Sequence, residues 1–162
     1  MKSYREAFAQ QAKADMDTYY HLVRSGLPSS QSLHFLQMWL EKLCKSYLWP
    51  DSELADLRYR HNVVAKVLPV IVSKRWKQMG FAASPDIAEL REVCRQVDLL
   101  HPQVDDSGRR PDNTEYPWLD SSGEAQVPSL ATFRLSARLH SPAGKLLLKA
   151  ASSLTQKPSL LP

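Results

Sequence analysis

Glycine and cysteine are scarce in this 162-residue sequence, with 5 and 2 residues. So few glycines leave little material for the closely spaced turns of a β sandwich. The two cysteines, Cys44 and Cys94, lie fifty positions apart, each within a helical apolar pattern, which predicts buried free thiols rather than a disulfide, and they form no CxxC pair, so a zinc site is not expected. Long apolar runs are missing as well. The stretch from Val67 to Val72 is interrupted by Pro69 and is far too short to span a bilayer, and no basic segment leads into a signal-like apolar run. A cytoplasmic, soluble chain with no membrane association is the expectation. There is no glycine-rich phosphate loop, no HExxH helix and no GxSxG elbow. His21, His34, His61, His101 and His140 show no linear metal-ligand spacing, so neither a metal nor a cofactor is expected.

Acidic residues are missing from two whole stretches. Residues 58–85 carry 6 Lys/Arg and no Asp/Glu, and residues 125–162 carry 5 and none, while residues 86–124 between them carry 4 against 10. This polarity suits either a phosphate-bearing partner or pairing with an acidic segment, internally or in a second subunit. Within the first basic stretch, Arg58, Arg60 and His61 precede a helical pattern, and Lys74, Arg75 and Lys77 surround Trp76 at its far end. Cations interleaved with a tryptophan combine phosphate contact with a stacking platform, making these seven residues the candidate nucleic-acid contacts.

What is abundant is helical periodicity. Phe8, Ala12, Met16, Tyr19 and Val23 place one apolar stripe on a helix from Tyr4 to about Arg24, and Gly26 and Pro28 stop it. Leu33, Leu36, Leu40, Leu43 and Tyr47 mark a second helix ending before Pro50, with Glu41 and Lys45 as an i, i+4 pair on its outer side. A short turn from Asp51 to Leu57 leads to a third helix through Val63, Val67 and Ile71. Pro69 inside it makes a strand at Val67 to Val72 the competing reading. Gly80 closes that segment. Ser84, Pro85 and Asp86 read as N-cap, N1 and first-turn acid of a fourth helix carrying Ile87, Leu90, Cys94 and Val97. Residues 101–128 are polar and predict a long ordered loop pinned by Tyr116, Pro117 and Trp118. A helix over Leu130 to Leu139 and another after Ser141-Pro142 complete the pattern. The expected fold is all-α: an up-and-down bundle of four to five helices in a single domain over residues 1–156, with a frayed tail at 157–162.

Three strings carry a family resemblance. Ser29 to Leu48, SSQSLHFLQMWLEKLCKSYL, resembles the second helix of the HEPN superfamily, helical-bundle proteins of prokaryotic defence and toxin–antitoxin modules. RHNVVAKVLP is similar to the following helix of that family, and RRPDNTEYPW to the Tyr-Pro loop before its last helix, so the likeness runs from Ala7 to Leu154. The resemblance implies a homo-oligomer, commonly a dimer, that binds RNA, nucleotide or a nucleotidyltransferase-type protein. Nuclease members place a histidine four to six residues after an arginine. Arg134 and His140 match that spacing and are the candidate catalytic pair for metal-independent cleavage, the arginine holding phosphate charge and the histidine moving a proton. Leu135 stands where that motif has a polar residue and Pro142 where toxin members have a tyrosine. Binding is therefore the leading expectation, with ribonuclease action and a purely structural adaptor as the alternatives.

Overall fold

The computed structural model describes residues 3–48, 56–57, 59–104 and 113–157. Among them stand six helices, α1 (Tyr4–Ser25), α2 (Ser29–Leu48), α3 (Val64–Arg75), α4 (Ile87–Asp98), α5 (Arg134–Arg138) and α6 (Pro142–Gln156). One short ribbon, β1 (Trp118–Leu119) paired with β2 (Ala125–Gln126), accompanies them. The all-α bundle is present, and no helix among the described residues is long and apolar enough to cross a membrane.

Local signals explain where the helices begin and end. Ser3 and Glu6 form a reciprocal capping box at the start of α1, and Gly26 ends it with φ 67, a left-handed conformation that suits glycine. A three-residue connection then turns α1 back along α2, which makes an antiparallel hairpin. Ser141 and Pro142 are the N-cap and first residue of α6, as the sequence predicts; the serine Oγ accepts from Gly144 N–H. At α4 the cap is Asp86 rather than Ser84. Its carboxylate accepts from Glu89 N–H at 3.0 Å, one residue before the apolar stripe begins at Ile87.

Helix α3 spans Pro69, so the helical reading of Val67 to Val72 holds. Proline has no N–H, and the carbonyl of Ala65 one turn earlier loses its helical donor. The helix predicted over Leu130 to Leu139 is shorter. Phe133 is extended, Leu130 is exposed, and only Arg134 to Arg138 are helical, because no apolar stripe precedes Phe133. The described part of the polar loop holds a hairpin that the sequence reading lacks. Asp120 Oδ1 accepts from the N–H groups of Ser122 and Glu124, and Gly123 closes the turn. Trp118 packs on the core against Phe133, whereas Tyr116 is exposed. The expected turn at Asp51 to Leu57 and the tail after Lys157 lie largely outside the described residues.

Helix α2 is the hub. It packs against α1, α3, α4 and α6, and of its own residues only Gln31 is exposed. One continuous core draws on all six helices, from Ala12 and Met16 through Leu36, Trp39 and Leu40 to Leu68, Val93, Leu135 and Leu147. Two polar contacts tie α6 to the first hairpin: Trp39 Nε1–H donates to Thr155 Oγ1 at 2.8 Å, and the hydroxyls of Tyr20 and Ser152 meet at 2.9 Å. Cys44 and Cys94 are buried free thiols, pushed up from the usual thiol range by burial.

Candidate functional site

The described candidate contacts of 58–85 divide between the two ends of α3. Twelve residues at about 1.5 Å each separate those ends by roughly 18 Å. At the C-terminal end stand Lys74, Arg75, Trp76 and Lys77. None of the three cations forms an ion pair among the described residues; Arg75 donates to Gln78 Oε1, and Lys77 Nζ lies 5.4 Å from the Trp76 ring centre. Lys74 and Arg75 share a cleft of about 350 Å³ with Tyr47, Ile71 and Gln78. Part of this charge complements the helix macrodipole, whose negative end it faces. With no carboxylate paired to it among the described residues, the remainder can meet an external anion.

The other end of α3 is a different environment. Arg60 is exposed and pairs with Asp56 at 3.4 Å, and Arg58 lies outside the described residues. His61, grouped with the cations in the sequence reading, turns inward instead. Its Nδ1 is 3.3 Å from Glu41 Oε2, and its ring stacks on His101 with centroids 3.7 Å apart and planes 9° from parallel. The structure thus gathers Glu41 from α2, His61 from just before α3 and His101 from just after α4.

Glu41 and Lys45 are paired as the i, i+4 spacing predicts, but not on an outer face. Both are buried, with Nζ and Oε1 2.5 Å apart, because α2 is surrounded by other helices and has almost no outer side. Gln37 Nε2–H donates to Oε2 at 2.7 Å, and its own Oε1 is buried without a hydrogen-bond partner among the described residues. Burial alone would raise Glu41, yet Lys45, His61 and Gln37 together hold its carboxyl below the usual range. Burial, with His61 as a second cause, brings His101 down to about 4, so its ring is neutral at pH 7. The backbone N–H of Gln103 donates to His101 Nδ1 at 3.2 Å.

Beside this cluster, Asp98 reaches from the end of α4 to the start of α3. Val63, the N-cap of α3, supplies no side-chain cap; the Asp98 carboxylate accepts from Val64 and Ala65 N–H at 3.0 and 2.9 Å instead. Burial outweighs those two donors and pushes Asp98 up to about 7.

Arg134 and His140 are both exposed. Arg134 opens α5 and lines a cleft with Glu92, Arg95, Gln96 and Phe133; His140 occupies the turn between α5 and α6. No hydrogen bond between the two is found among the described residues. Sequence reasoning missed the Glu41–His101 relationship altogether. The one available signal was a histidine just past the end of an apolar stripe, at a position where helix ends converge. Compared with family models, with curated proteins and with solved structures, the chain gives no significant match.

Proposed function

We propose that this chain is a binding module for phosphate-rich polymer, RNA in the first instance, with the C-terminal end of α3 as its contact surface. The observation that carries the reading is the group of three cations, Lys74, Arg75 and Lys77, without carboxylate partners among the described residues, around a partly exposed tryptophan. Arginine and lysine neutralise phosphates, and an aromatic ring stacks on any base, so such a surface takes single strands with little sequence preference. The neighbouring cleft with Tyr47 is of a size to receive one phosphate and its sugar. His61 drops out of the contact set because it is committed to Glu41 and His101. The likeness of Ser29 to Leu48 to the HEPN second helix supports a setting in prokaryotic defence or toxin–antitoxin systems, in the cytoplasm, with a second copy or a nucleotidyltransferase-type protein as partner.

The test is retention of labelled single-stranded RNA at increasing salt. Three phosphate contacts on a single strand give a slope of log K against log salt near −2, which is about a 20-fold loss between 50 and 200 mM. The triple variant Lys74→Ala, Arg75→Ala, Lys77→Ala should lose most of the binding and most of that slope. Binding indifferent to salt, or untouched in the triple variant, rejects the reading in favour of a protein-docking adaptor. Cleavage by Arg134 and His140 has less support, since no hydrogen bond joins them among the described residues.

A further inference from the structure

Three stretches of chain far apart in sequence deliver one ligand-type side chain each to a single point. Glu41 comes from the middle of α2, His61 from the segment before α3 and His101 from the segment after α4. Each offers one ligand atom, and these atoms all lie within 4.8 Å of one another. An ion bound tetrahedrally at about 2.1 Å holds its ligand atoms roughly 3.4 Å apart, so closing on an ion asks for shifts on the order of 1 Å. We propose that Glu41, His61 and His101 form a binding site for a divalent transition-metal ion, with zinc(II) as the reference ion and at least one coordination position open to solvent.

The donor set selects the class of ion. Two imidazoles and one carboxylate suit zinc, iron, cobalt or nickel, whereas magnesium and calcium favour oxygen donors. The surroundings give the site a fixed floor and an accessible side. Glu41 is buried and held on both oxygens, by Lys45 on Oε1 and Gln37 on Oε2. The two imidazoles are only half-buried, so an ion reaches them from the surface. Gln37 Oε1 is a buried acceptor beside Glu41 with no partner among the described residues, and a water on the ion would supply a donor for it.

Two features of the geometry limit the affinity. Parallel rings send their in-plane lone pairs in parallel directions, so the His61 and His101 rings must splay to share an ion. His101 sits in a bend just after α4, its N–H donating to the Asp98 carbonyl and its own carbonyl accepting from Val104 N–H, so its ring is carried by a turn rather than by a helix. The Lys45 ammonium, 2.5 Å from Glu41, also opposes a second cation at the same carboxylate. Binding on the order of micromolar is therefore expected, weaker than in closed structural zinc sites. This site is separate from the cationic end of α3 and does not depend on RNA binding.

The experiment is calorimetric titration of the chelator-treated, dialysed chain with zinc chloride, paralleled by cobalt(II) absorption in the visible range, in which d–d bands report nitrogen and oxygen ligation. One equivalent should bind. His101→Ala, a partly exposed position outside the helices, should keep the helical circular dichroism and weaken binding by about 10-fold or more, and His61→Ala likewise. Lys45→Met should tighten zinc binding, or, if it unfolds the metal-free chain, zinc should restore the fold. No saturable uptake by the wild type, or equal uptake by His101→Ala, overturns the proposal.

Discussion

Asp98 is a carboxyl whose burial and function pull in opposite directions. As an acceptor for two amides it stands in for the missing cap of α3, yet it faces Glu41, Lys66, Cys44 and Cys94 in a nearly dry setting. Its folded-state value of about 7 lies above the usual 3.8. The folded chain therefore holds a proton that the unfolded chain has released between those values. The stabilising contribution is complete below about pH 4 and is lost as pH rises through 7. Chemical denaturation of wild type and Asp98→Asn across that range should show their stability difference moving against the wild type with rising pH, by on the order of 2–4 kcal/mol. A constant difference refutes the assignment. Gly144 is a second such residue. A β-carbon there would overlap the Arg138 carbonyl and the Leu139 backbone where α6 starts against α5. Alanine normally strengthens a helix, but here Gly144→Ala should lower stability by about 1–3 kcal/mol, read from the urea midpoint.

Elements in this bundle are held more by neighbours than by their own propensities. Helix α3 illustrates this: a proline in its interior, β-branched valines, no capping side chain of its own and a start fixed by a residue of α4. Helix α6 is the opposite case, with its own N-cap. Ser141 Oγ accepts from Gly144 N–H and donates to the Arg138 carbonyl, joining the end of α5 to the start of α6. Ser141→Ala should cost about 1–2 kcal/mol and Ser84→Ala almost nothing, since Asp86 is the cap at α4. Equal losses in thermal unfolding would show that the two serines share a role, contrary to the structure. The strong periodicity of α1, α2, α4 and α6 was legible from their residues because one apolar stripe per helix is a local pattern. The β1–β2 hairpin was not. Two-residue strands carry no period, and only the turn at Asp120 to Gly123 betrays it.

At the scale of the molecule, α2 sits at the centre, and Arg60 sits at the opposite end of α3 from Lys74, Arg75 and Lys77, so charge that is contiguous in sequence is divided in space. Activity should follow that division. Incubated with labelled RNA in EDTA, wild type and His140→Ala should leave the RNA intact while both retain it. Cleavage by the wild type that is lost in His140→Ala would transfer the function to the Arg134–His140 pair. Retention should depend on Lys74, Arg75 and Lys77 and should be unchanged by Arg60→Ala, whose guanidinium is engaged by Asp56.

By itself the sequence determined the all-α class, the main helix boundaries, the buried free thiols and the presence of an acid-free basic stretch. Each of these follows from neighbours within a turn or two, or from composition. Tertiary structure alone decided that Glu41 and Lys45 are buried, that His61 leaves the basic set, and that His101 joins it beside Glu41. A helix pattern states which face is apolar but not how many partners surround the helix, and burying α2 on nearly every side turned an expected surface ion pair into an internal one. Three side chains separated by 20 and 40 positions meet only because the ends of α3 and α4 close over the middle of α2, a convergence that no local spacing encodes.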